Sequence, residues 1–346
     1  MVSNDVKTEE PSILAAPDDL ASAKTGSEPD VAAPKFSRGR KFLSYYKPYK
    51  GLFLADMACA LIVAAITLAL PLGARYVTKD ILEGGAPDRL NQIALMGALM
   101  VALVVVHTLC VMFIDYQGHF MGAKMERDMR HELFEHYQKL SFRFYDEQTT
   151  GQLMTRMTND TFAMSELYHH GPEDILVTFL TVTGAFIILL RINVALTLIV
   201  FLFVPIMAIH ALYFNRQLQR ALRSSKDRVG DVNAQLEDTL AGVRVVKSFT
   251  NEEVEARKFA AANERFLASR RIEYKGYMFF SSGLIGFGQL ITIAVVIFGA
   301  VAIVRAELDL ADLATYLLCI AILIDPIQKL VNFGRLYQEG MTGFQR

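Results

Sequence analysis

The sequence predicts an all-α membrane protein with six long transmembrane helices that extend into the cytoplasm. Three observations predict this fold. Hydrophobic residues make up 53% of the 346 residues, and the mean hydropathy is +0.29, which is too apolar for an ordinary soluble domain. Six apolar segments have about the 20 residues that a helix needs to cross a bilayer. Two long polar stretches between them keep a helical spacing of apolar residues.

The residues before the first apolar segment divide into two parts. Residues 1–34 are rich in Ala, Pro, Ser, Asp and Glu, so we expect a disordered acidic tail. Residues 35–50 combine six basic residues with interleaved Phe and Tyr and contain no acidic residue, which is typical of a segment at the headgroup interface. Because an apolar run follows directly, this patch is assigned to the membrane surface, and no nucleic-acid partner is predicted.

The six-span domain is predicted at residues 51–346. Its spans are expected at residues 52–72, 93–114, 175–190, 194–213, 278–304 and 308–327. The connections after the second and fourth spans are long and basic, whereas the other three are short and hold few basic residues: Arg75, Lys79 and Arg89 in the first, Arg191 in the second and Arg305 in the third. The positive-inside rule therefore places both long connections and both termini in the cytoplasm. We expect a multi-pass protein of the plasma membrane, which in a bacterium is the inner membrane.

The two long connections are predicted to be helical hairpins, at about residues 115–172 and 215–276. The helix from residue 193 to residue 248 would be about 80 Å long at 1.5 Å per residue. The hydrocarbon core takes up only about 30 Å of that length. Much of each hairpin should therefore protrude from the membrane.

Each hairpin is expected to turn at a tip that combines aromatic residues with a helix-start pattern. Residues 149–152 and 250–253 both fit a capping box, in which the first hydroxyl bonds a backbone N–H of the new helix. We therefore expect a helix to stop before Thr149 and another to start after it, with a similar start at Thr250. Either box alone is also compatible with an ordinary helix start. Rings at Phe142, Phe144 and Tyr145 in the first tip and at Phe249 in the second suit a docking surface.

Three segments resemble one family. FYDEQTTGQLMTRMTND (residues 144–160), GVRVVKSFTNEE (242–253) and PIQKLVNFGRLYQEGM (326–341) are similar, in that order, to segments of the transmembrane domain of ABC exporters of the lipid A flippase and multidrug type. The resemblance covers residues 41–346. It implies that residues 144–151 and 248–253 are two coupling helices that dock on a nucleotide-binding domain. The implied docking residues are Phe144, Tyr145, Asp146, Glu147, Gln148, Thr149, Gly151, Ser248, Phe249, Thr250, Asn251 and Glu252.

The resemblance implies a permease domain that moves a lipid, drug-like or peptide substrate outward, in a homodimer or heterodimer. The sequence contains no G-x-x-x-x-G-K-[ST] phosphate loop and no LSGGQ-like signature. No catalytic residue and no cofactor are therefore predicted in this chain. Hydrolysis of Mg-ATP is expected from a nucleotide-binding domain, fused or separate.

Polar residues within the spans are candidates for a substrate cavity, because such residues are costly in hydrocarbon. The candidates are His107, His210, Gln289 and Asp325. Snorkelling of His210 to the interface is a structural alternative, as is local backbone pairing by Asp325 beside Pro326. Four further residues near the interface are expected to be solvated: Asp56, Asp115, His169 and His170. The three cysteines have no metal-ligand spacing, so no metal site is predicted.

Two other classes of protein remain open at this point. Intramembrane His and Asp residues also occur in proton-coupled secondary transporters, although long cytoplasmic hairpins are unusual there. A membrane-anchored sensor or scaffold is the third possibility. Copurification with an ATPase domain, or ATP-dependent transport after an ATPase domain is fused to the chain, would separate the three classes.

Overall fold

A computed structural model describes residues 38–84 and 88–346. The boundary between two units of the chain lies between Ser44 and Tyr45. In the first unit the structure describes helix α1, Arg38–Ser44, where the Ser44 hydroxyl donates a hydrogen bond of 2.6 Å to the Lys41 carbonyl. The acidic tail predicted for residues 1–34 lies outside the described residues.

The described part of the second unit consists of α-helices with short connections. The helices are α2 (Lys50–Tyr76), α3 (Arg89–Phe113), α4 (His119–Tyr137), α5 (Phe142–Glu147), α6 (Thr150–Thr155), α7 (Thr161–Ile192), α8 (Val194–Ala241), α9 (Val243–Ser248), α10 (Glu252–Val304) and α11 (Leu310–Gln345). A π-helical turn at Ile114–Gly118 joins α3 to α4, and another at Arg156–Asp160 joins α6 to α7. A third, Val77–Glu83, extends α2.

Six helices in the described ranges are long and apolar enough to cross a membrane. Their apolar parts coincide with the six predicted spans, and no strand occurs in residues 38–84 or 88–346. The prediction of an all-α membrane protein with six long helices is therefore confirmed. The basis of the prediction is physical. A helix satisfies all of its backbone hydrogen bonds internally, as the hydrocarbon core requires, and about 20 apolar residues in a helix are long enough to cross that core.

The main apolar core lies where α7, α8, α10 and α11 meet. Its buried residues are Ala185, Leu189, Leu196, Val200, Ile291, Val295, Ala302, Leu308, Tyr316, Cys319, Ile320 and Leu323. The Tyr316 hydroxyl lies 2.9 Å from the Leu189 carbonyl oxygen, 2.7 Å from that of Asn193 and 2.7 Å from Thr197 Oγ1. It thereby ties α11 to the turn between α7 and α8. The Asn193 side chain caps α8 by accepting a hydrogen bond of 3.0 Å from the Leu196 amide.

An ionic cluster joins α2 to the start of α11. Asp312 is 5% exposed, and its carboxylate accepts hydrogen bonds of 2.6 Å from Arg75 Nε and 2.9 Å from Lys79 Nζ. Lys79 also pairs with Asp309 at 2.6 Å. These contacts connect the first and sixth spans at the ends opposite the hairpin tips.

Tyrosines of the basic, aromatic segment contact the helices of the first hairpin. The Tyr45 hydroxyl donates to Glu132 over 2.7 Å, and the Tyr49 hydroxyl donates to Asp128 over 2.6 Å. Tyr46 donates to the Tyr168 carbonyl over 2.7 Å. In addition to any interfacial role, these rings therefore hold the start of the first span against α4 and α7.

The long helix of the second hairpin is shorter than predicted. We expected one helix over residues 193–248, but α8 ends at Ala241 and Gly242 separates it from α9. At 1.5 Å per residue, α8 is about 72 Å long. Glycine raises the cost of continuing a helix by about 1 kcal/mol relative to alanine, which explains a break at this position. About 40 Å of helix still remains beyond the bilayer core.

Candidate functional site: the two hairpin tips

The first tip, residues 141–150, contains the short helix α5. Ser141 precedes it in an extended conformation, and Gln148 follows it in another. The helix covers Phe142–Glu147, so the predicted bounds of 144–151 are wrong. The reason is that Gln148 and Thr149 are both extended, with ψ of 142° and 138°, and the next helix begins at Thr150. The predicted stop before Thr149 and restart after it are observed.

The aromatic residues of this tip have two different positions. Phe144 packs between Tyr137 and Tyr145, with ring centroids 6.5 Å and 5.5 Å away. The Tyr145 hydroxyl donates a hydrogen bond of 2.5 Å to the Tyr137 carbonyl, which holds α5 on the end of α4. Phe142, by contrast, is 90% exposed, and Tyr145 is 41% exposed. The ring that projects farthest is thus Phe142, which was named among the aromatic residues of this tip but lay outside the predicted coupling helix.

The sequence does contain a signal for Phe142. Residues three apart lie on the same face of a helix, and Phe142 and Tyr145 have that spacing within α5. The predicted helix began at residue 144, so Phe142 fell outside it. Among the other predicted residues of this tip, Asp146, Glu147, Thr149 and Gly151 are exposed and Gln148 is half-buried. Glu147 accepts a hydrogen bond of 2.9 Å from Arg143 Nε.

The second tip, residues 242–252, contains α9 and the turn after it. The helix covers Val243–Ser248, so the predicted bounds of 248–253 are wrong. Thr250 has a φ of 53°, and the Asn251 amide donates to the Val246 carbonyl over 3.0 Å. This left-handed residue closes the helix as a Schellman-type cap. The helix of this tip therefore precedes Phe249 instead of following it.

Phe249 is the most prominent apolar side chain of the second tip, with 73% of its surface exposed. Ser248 donates to the Arg244 carbonyl over 2.8 Å and is held within α9. Across the turn, Lys247 Nζ lies 2.8 Å from Glu252 Oε1. This hydrogen bond lowers the pKa of the Glu252 carboxyl, which lies beyond the apolar part of α10. Glu252 therefore stays ionised, and the turn carries a fixed ion pair beside an exposed ring.

Neither predicted capping box forms. Thr149 occupies the N-cap position of α6, but its side chain makes no capping hydrogen bond; its carbonyl accepts from the Gln152 amide over 3.0 Å. At the second tip the N-cap of α10 is Asn251, again without a side-chain bond. Thr250 cannot act as the N-cap because its left-handed conformation belongs to the end of α9.

The four polar candidates for a substrate cavity lie on four different helices. His107 on α3 and His210 on α8 are half-buried, whereas Gln289 on α10 and Asp325 on α11 are exposed. The structure joins His210 to α10, since its Nε2 lies 3.1 Å from the Phe279 carbonyl oxygen. An apolar groove of about 630 Å³ between α2, α3 and α11 contains none of the four. Their role in binding a substrate remains a prediction.

Two of the residues expected to be solvated are instead buried. Asp56 is 1% exposed and His169 is 2% exposed, because α2, α4 and α7 pack closely around them. Of the other two, Asp115 is exposed and His170 is half-buried. The prediction was wrong for Asp56 and His169 because distance along the sequence from an apolar run does not reveal packing between helices.

The comparison with known families covers most of the chain. Residues 53–327 match the family model of the ABC transporter transmembrane region. Both hairpin tips lie inside the matched range.

Curated relatives from several bacteria are similar over nearly the same part of the chain. The chain is 35% identical over 311 residues to the uncharacterized ABC transporter ATP-binding protein YwjA of Bacillus subtilis (strain 168). The aligned residues cover 88% of this chain and 53% of that protein. It is 27% identical over 312 residues to the putative multidrug export ATP-binding/permease protein YgaD of the same strain, over 89% and 53% of the two chains. It is 25% identical over 311 residues to the ATP-dependent lipid A-core flippase of Syntrophus aciditrophicus (strain SB), over 89% and 51%. The chain thus spans about half the length of the curated relatives that it matches.

Proposed function

Because the chain belongs to the family of ABC transporter transmembrane regions, we propose that it is the permease domain of an ATP-driven exporter. Its substrate is a lipid, a drug-like molecule or a peptide, which it moves outward. Two relatives support this assignment, since one is named a putative multidrug export ATP-binding/permease protein and another an ATP-dependent lipid A-core flippase. The proton-coupled alternative is not favoured, because the relatives are named as ATP-binding or ATP-dependent proteins.

The observation that carries the proposal is the exposure of aromatic rings at both hairpin tips. Phe142 and Phe249 project from short helices at the ends of the first and second hairpins. Full burial of a phenylalanine side chain contributes about 1.5–3 kcal/mol. Rings have few rotatable bonds, so they lose little entropy on docking. Each tip therefore has an anchor that is available to a partner.

The remaining tip residues give the docking surface its polar rim. Asp146, Glu147 and Glu252 lie around the rings, and the last two are already paired within the tip. Exposed charges of this kind set register and association rate more than affinity. We propose that the rings provide most of the binding affinity for the partner and that the carboxylates fix its orientation.

The proposed partner is an ABC nucleotide-binding domain, fused or separate, which binds and hydrolyses Mg-ATP. The 346 residues contain no phosphate-binding loop, so no step of hydrolysis is assigned to them. A second transmembrane subunit, identical or different, completes the pathway through the membrane. Both tips face the cytoplasm, where ATP is available, and the termini lie on the same side.

Alanine substitutions at the tips test this assignment. The chain is fused after Arg346 to an ABC ATPase domain and reconstituted in vesicles. Phe142→Ala, Tyr145→Ala and Phe249→Ala are expected to reduce transport and its coupling to ATP hydrolysis by about tenfold each, as the loss of 1–2 kcal/mol of docking implies. Basal hydrolysis by the ATPase domain should persist.

Phe162→Ala and Phe259→Ala are the matched controls, because these rings are exposed on α7 and α10, outside the tips. They should leave coupling unchanged. Equal coupling in the tip variants and the controls would remove the basis for the proposed docking site. Transport without ATP would favour the proton-coupled class instead.

A further inference from the structure

Five side chains from three helices form a cluster separate from the tips. They are Asp56 on α2, His119 on α4, and His169, His170 and Glu173 on α7. We call them the histidine–carboxylate cluster. Asp56, His169 and Glu173 are 1%, 2% and 7% exposed, so three groups that can carry charge are almost fully removed from solvent. Such burial is costly unless the groups are paired or coordinate a metal ion.

The buried members of the cluster lack hydrogen-bond partners. Both Asp56 oxygens, both His169 ring nitrogens and Glu173 Oε2 are without one in the described part of the chain. His169 Nδ1 lies 3.8 Å from Asp56 Oδ2, and His169 Nε2 lies 3.8 Å from Glu173 Oε2. These distances exceed the 3.2 Å limit of ordinary hydrogen bonds. Buried polar groups are rarely left in this state, and each unpaired one costs about 1–3 kcal/mol.

The same distances suit ligands that share one metal ion. Ligand atoms about 2.0–2.2 Å from an ion lie roughly 3–4 Å from each other. Glu173 Oε2 is 3.8 Å from His169 Nε2 and 3.8 Å from His170 Nδ1. Ligand atoms of His119, His169 and His170 all lie within 4.8 Å of one another, as do those of Asp56, His169 and Glu173. His169 belongs to both groups, so the two sets of candidate ligands meet at one side chain.

The backbone around the cluster provides room for it. A Cβ on Gly118 would lie 2.1 Å from His169 Cε1 and 2.9 Å from Asp56 Oδ1, so only glycine allows these groups to meet there. Gly118 ends the π-helical turn Ile114–Gly118, and such turns often occur at functional sites. His119 follows directly and presents its ring 4.6 Å from that of His169, measured between centroids.

We propose that the histidine–carboxylate cluster binds one divalent first-row transition-metal ion of the Zn²⁺ type. The ligands are His169 Nε2, His170 and Glu173 from α7, with His119 from α4 as the fourth. Imidazole nitrogens select such ions over Mg²⁺ and Ca²⁺. Asp56 faces the opposite nitrogen of His169 and is a positioning residue, in the manner of the carboxylates that orient metal-bound histidines. The ion would fasten α4 to α7, and it is independent of the proposed export function.

Metal content of the purified chain tests this proposal. The complete 346-residue chain in detergent is stripped with a chelator, equilibrated with Zn²⁺ and analysed by mass spectrometry for bound metal. We expect about one Zn²⁺ per chain, and with Co²⁺ a visible absorption band typical of nitrogen and oxygen ligands. Because the ion binds the folded state, added Zn²⁺ should also raise the unfolding temperature. Absence of stoichiometric binding to the unmodified chain would overturn the proposal.

Substitutions locate the site. His169→Gln and Glu173→Gln should abolish stoichiometric binding and the response of the unfolding temperature to Zn²⁺. His170→Gln provides the same test at a half-exposed position, where folding is least at risk. Asp56→Asn should retain the stoichiometry but weaken affinity by about 10–100-fold, the usual effect of losing an outer carboxylate.

The matched control is His131→Gln. His131 also faces a glutamate four residues on, with 3.2 Å between Nε2 and Glu135 Oε1, but this pair is exposed on α4. The control variant should bind Zn²⁺ as the unmodified chain does. If His131→Gln loses as much metal as His170→Gln, or if His170→Gln and Glu173→Gln lose none, the ion is not bound by this cluster.

Discussion

Removal of the Asp312 carboxylate should destabilise the contact between the first and sixth spans. Asp312 pairs with both Arg75 and Lys79, which lie on α2 and its π-helical extension. In Asp312→Ala the Arg75 guanidinium loses this partner, and the ends of α2 and α11 keep only the exposed pair between Lys79 and Asp309.

The exposed fractions of the three side chains determine the expected magnitude. Removing one partner of a fully buried ion pair costs about 3–5 kcal/mol. Arg75 and Lys79 have 29% and 32% of their side-chain surface exposed, so they can recover part of their hydration. We therefore expect about 2 kcal/mol, close to the value of a hydrogen bond to a charged group, or roughly a 30-fold change in the opening equilibrium.

Cys319 provides a site-specific assay for this change. Its thiol is fully buried in α11, so a thiol-reactive dye reaches it only after local opening. Cys59 and Cys110 are half-buried and would be replaced by alanine. When reclosure is faster than labelling, the labelling rate follows the opening equilibrium. Asp312→Ala should then label about 30 times faster than the parent chain.

Asp309→Ala is the matched control. Within residues 38–84 and 88–346, Asp309 pairs with Lys79 alone, and 52% of its side chain is exposed, so its loss should cost under about 1 kcal/mol and raise labelling under about fivefold. Equal labelling rates in the two variants would show that burial of Asp312 does not determine the strength of this contact.

Three further substitutions have expected effects on stability, each measured by the same labelling of Cys319. Gly340→Ala should cost about 1–3 kcal/mol, because the new Cβ would lie 2.8 Å from a Cβ of α7, whereas Gly334→Ala has open space and should be neutral or slightly stabilising. Tyr316→Phe should cost about 1–2 kcal/mol through the loss of its buried hydroxyl contacts, while Tyr337→Phe at an exposed position should have no effect. Asn193→Ala should cost about 1 kcal/mol by removing the cap of α8. For Gly340→Ala, Tyr316→Phe and Asn193→Ala, a labelling rate equal to that of the parent would contradict the expectation.

The membrane part of the fold could be predicted because one physical requirement dominates it. A span needs a continuous apolar length, which the sequence shows directly. The helical hairpins were also predictable, since apolar residues keep a helical spacing along both long connections. The end of α8 was not, because the prediction did not weigh the cost of Gly242 against the helical pattern around it.

The details of the tips depend on backbone conformations that a sequence pattern does not determine. The pattern at residues 250–253 predicts a helix start, but Thr250 adopts a left-handed conformation and ends a helix. At the first tip, the Tyr145 hydroxyl donates a hydrogen bond to the Tyr137 carbonyl. The Tyr145 ring is therefore held against the end of α4, and Phe142 is the ring that projects. That outcome depends on how α5 packs against α4.

The histidine–carboxylate cluster could not be predicted from the sequence either. Asp56, His119 and His169 lie in three separate helices, and no local spacing links them. They meet because Gly118 lets α4 approach α2 and α7 closely. Contacts between helices of this kind can be recognised only in three dimensions.

Photocrosslinking from the tips tests the central claim most directly. A photoreactive phenylalanine analogue at position 142 or 249, in the chain fused or coexpressed with an ABC ATPase domain, should crosslink to that domain. The same analogue at Leu267, an exposed residue about 22 Å along α10 from Glu252, should not. Crosslinks of equal yield at all three positions, or at Leu267 alone, would contradict docking through the tips.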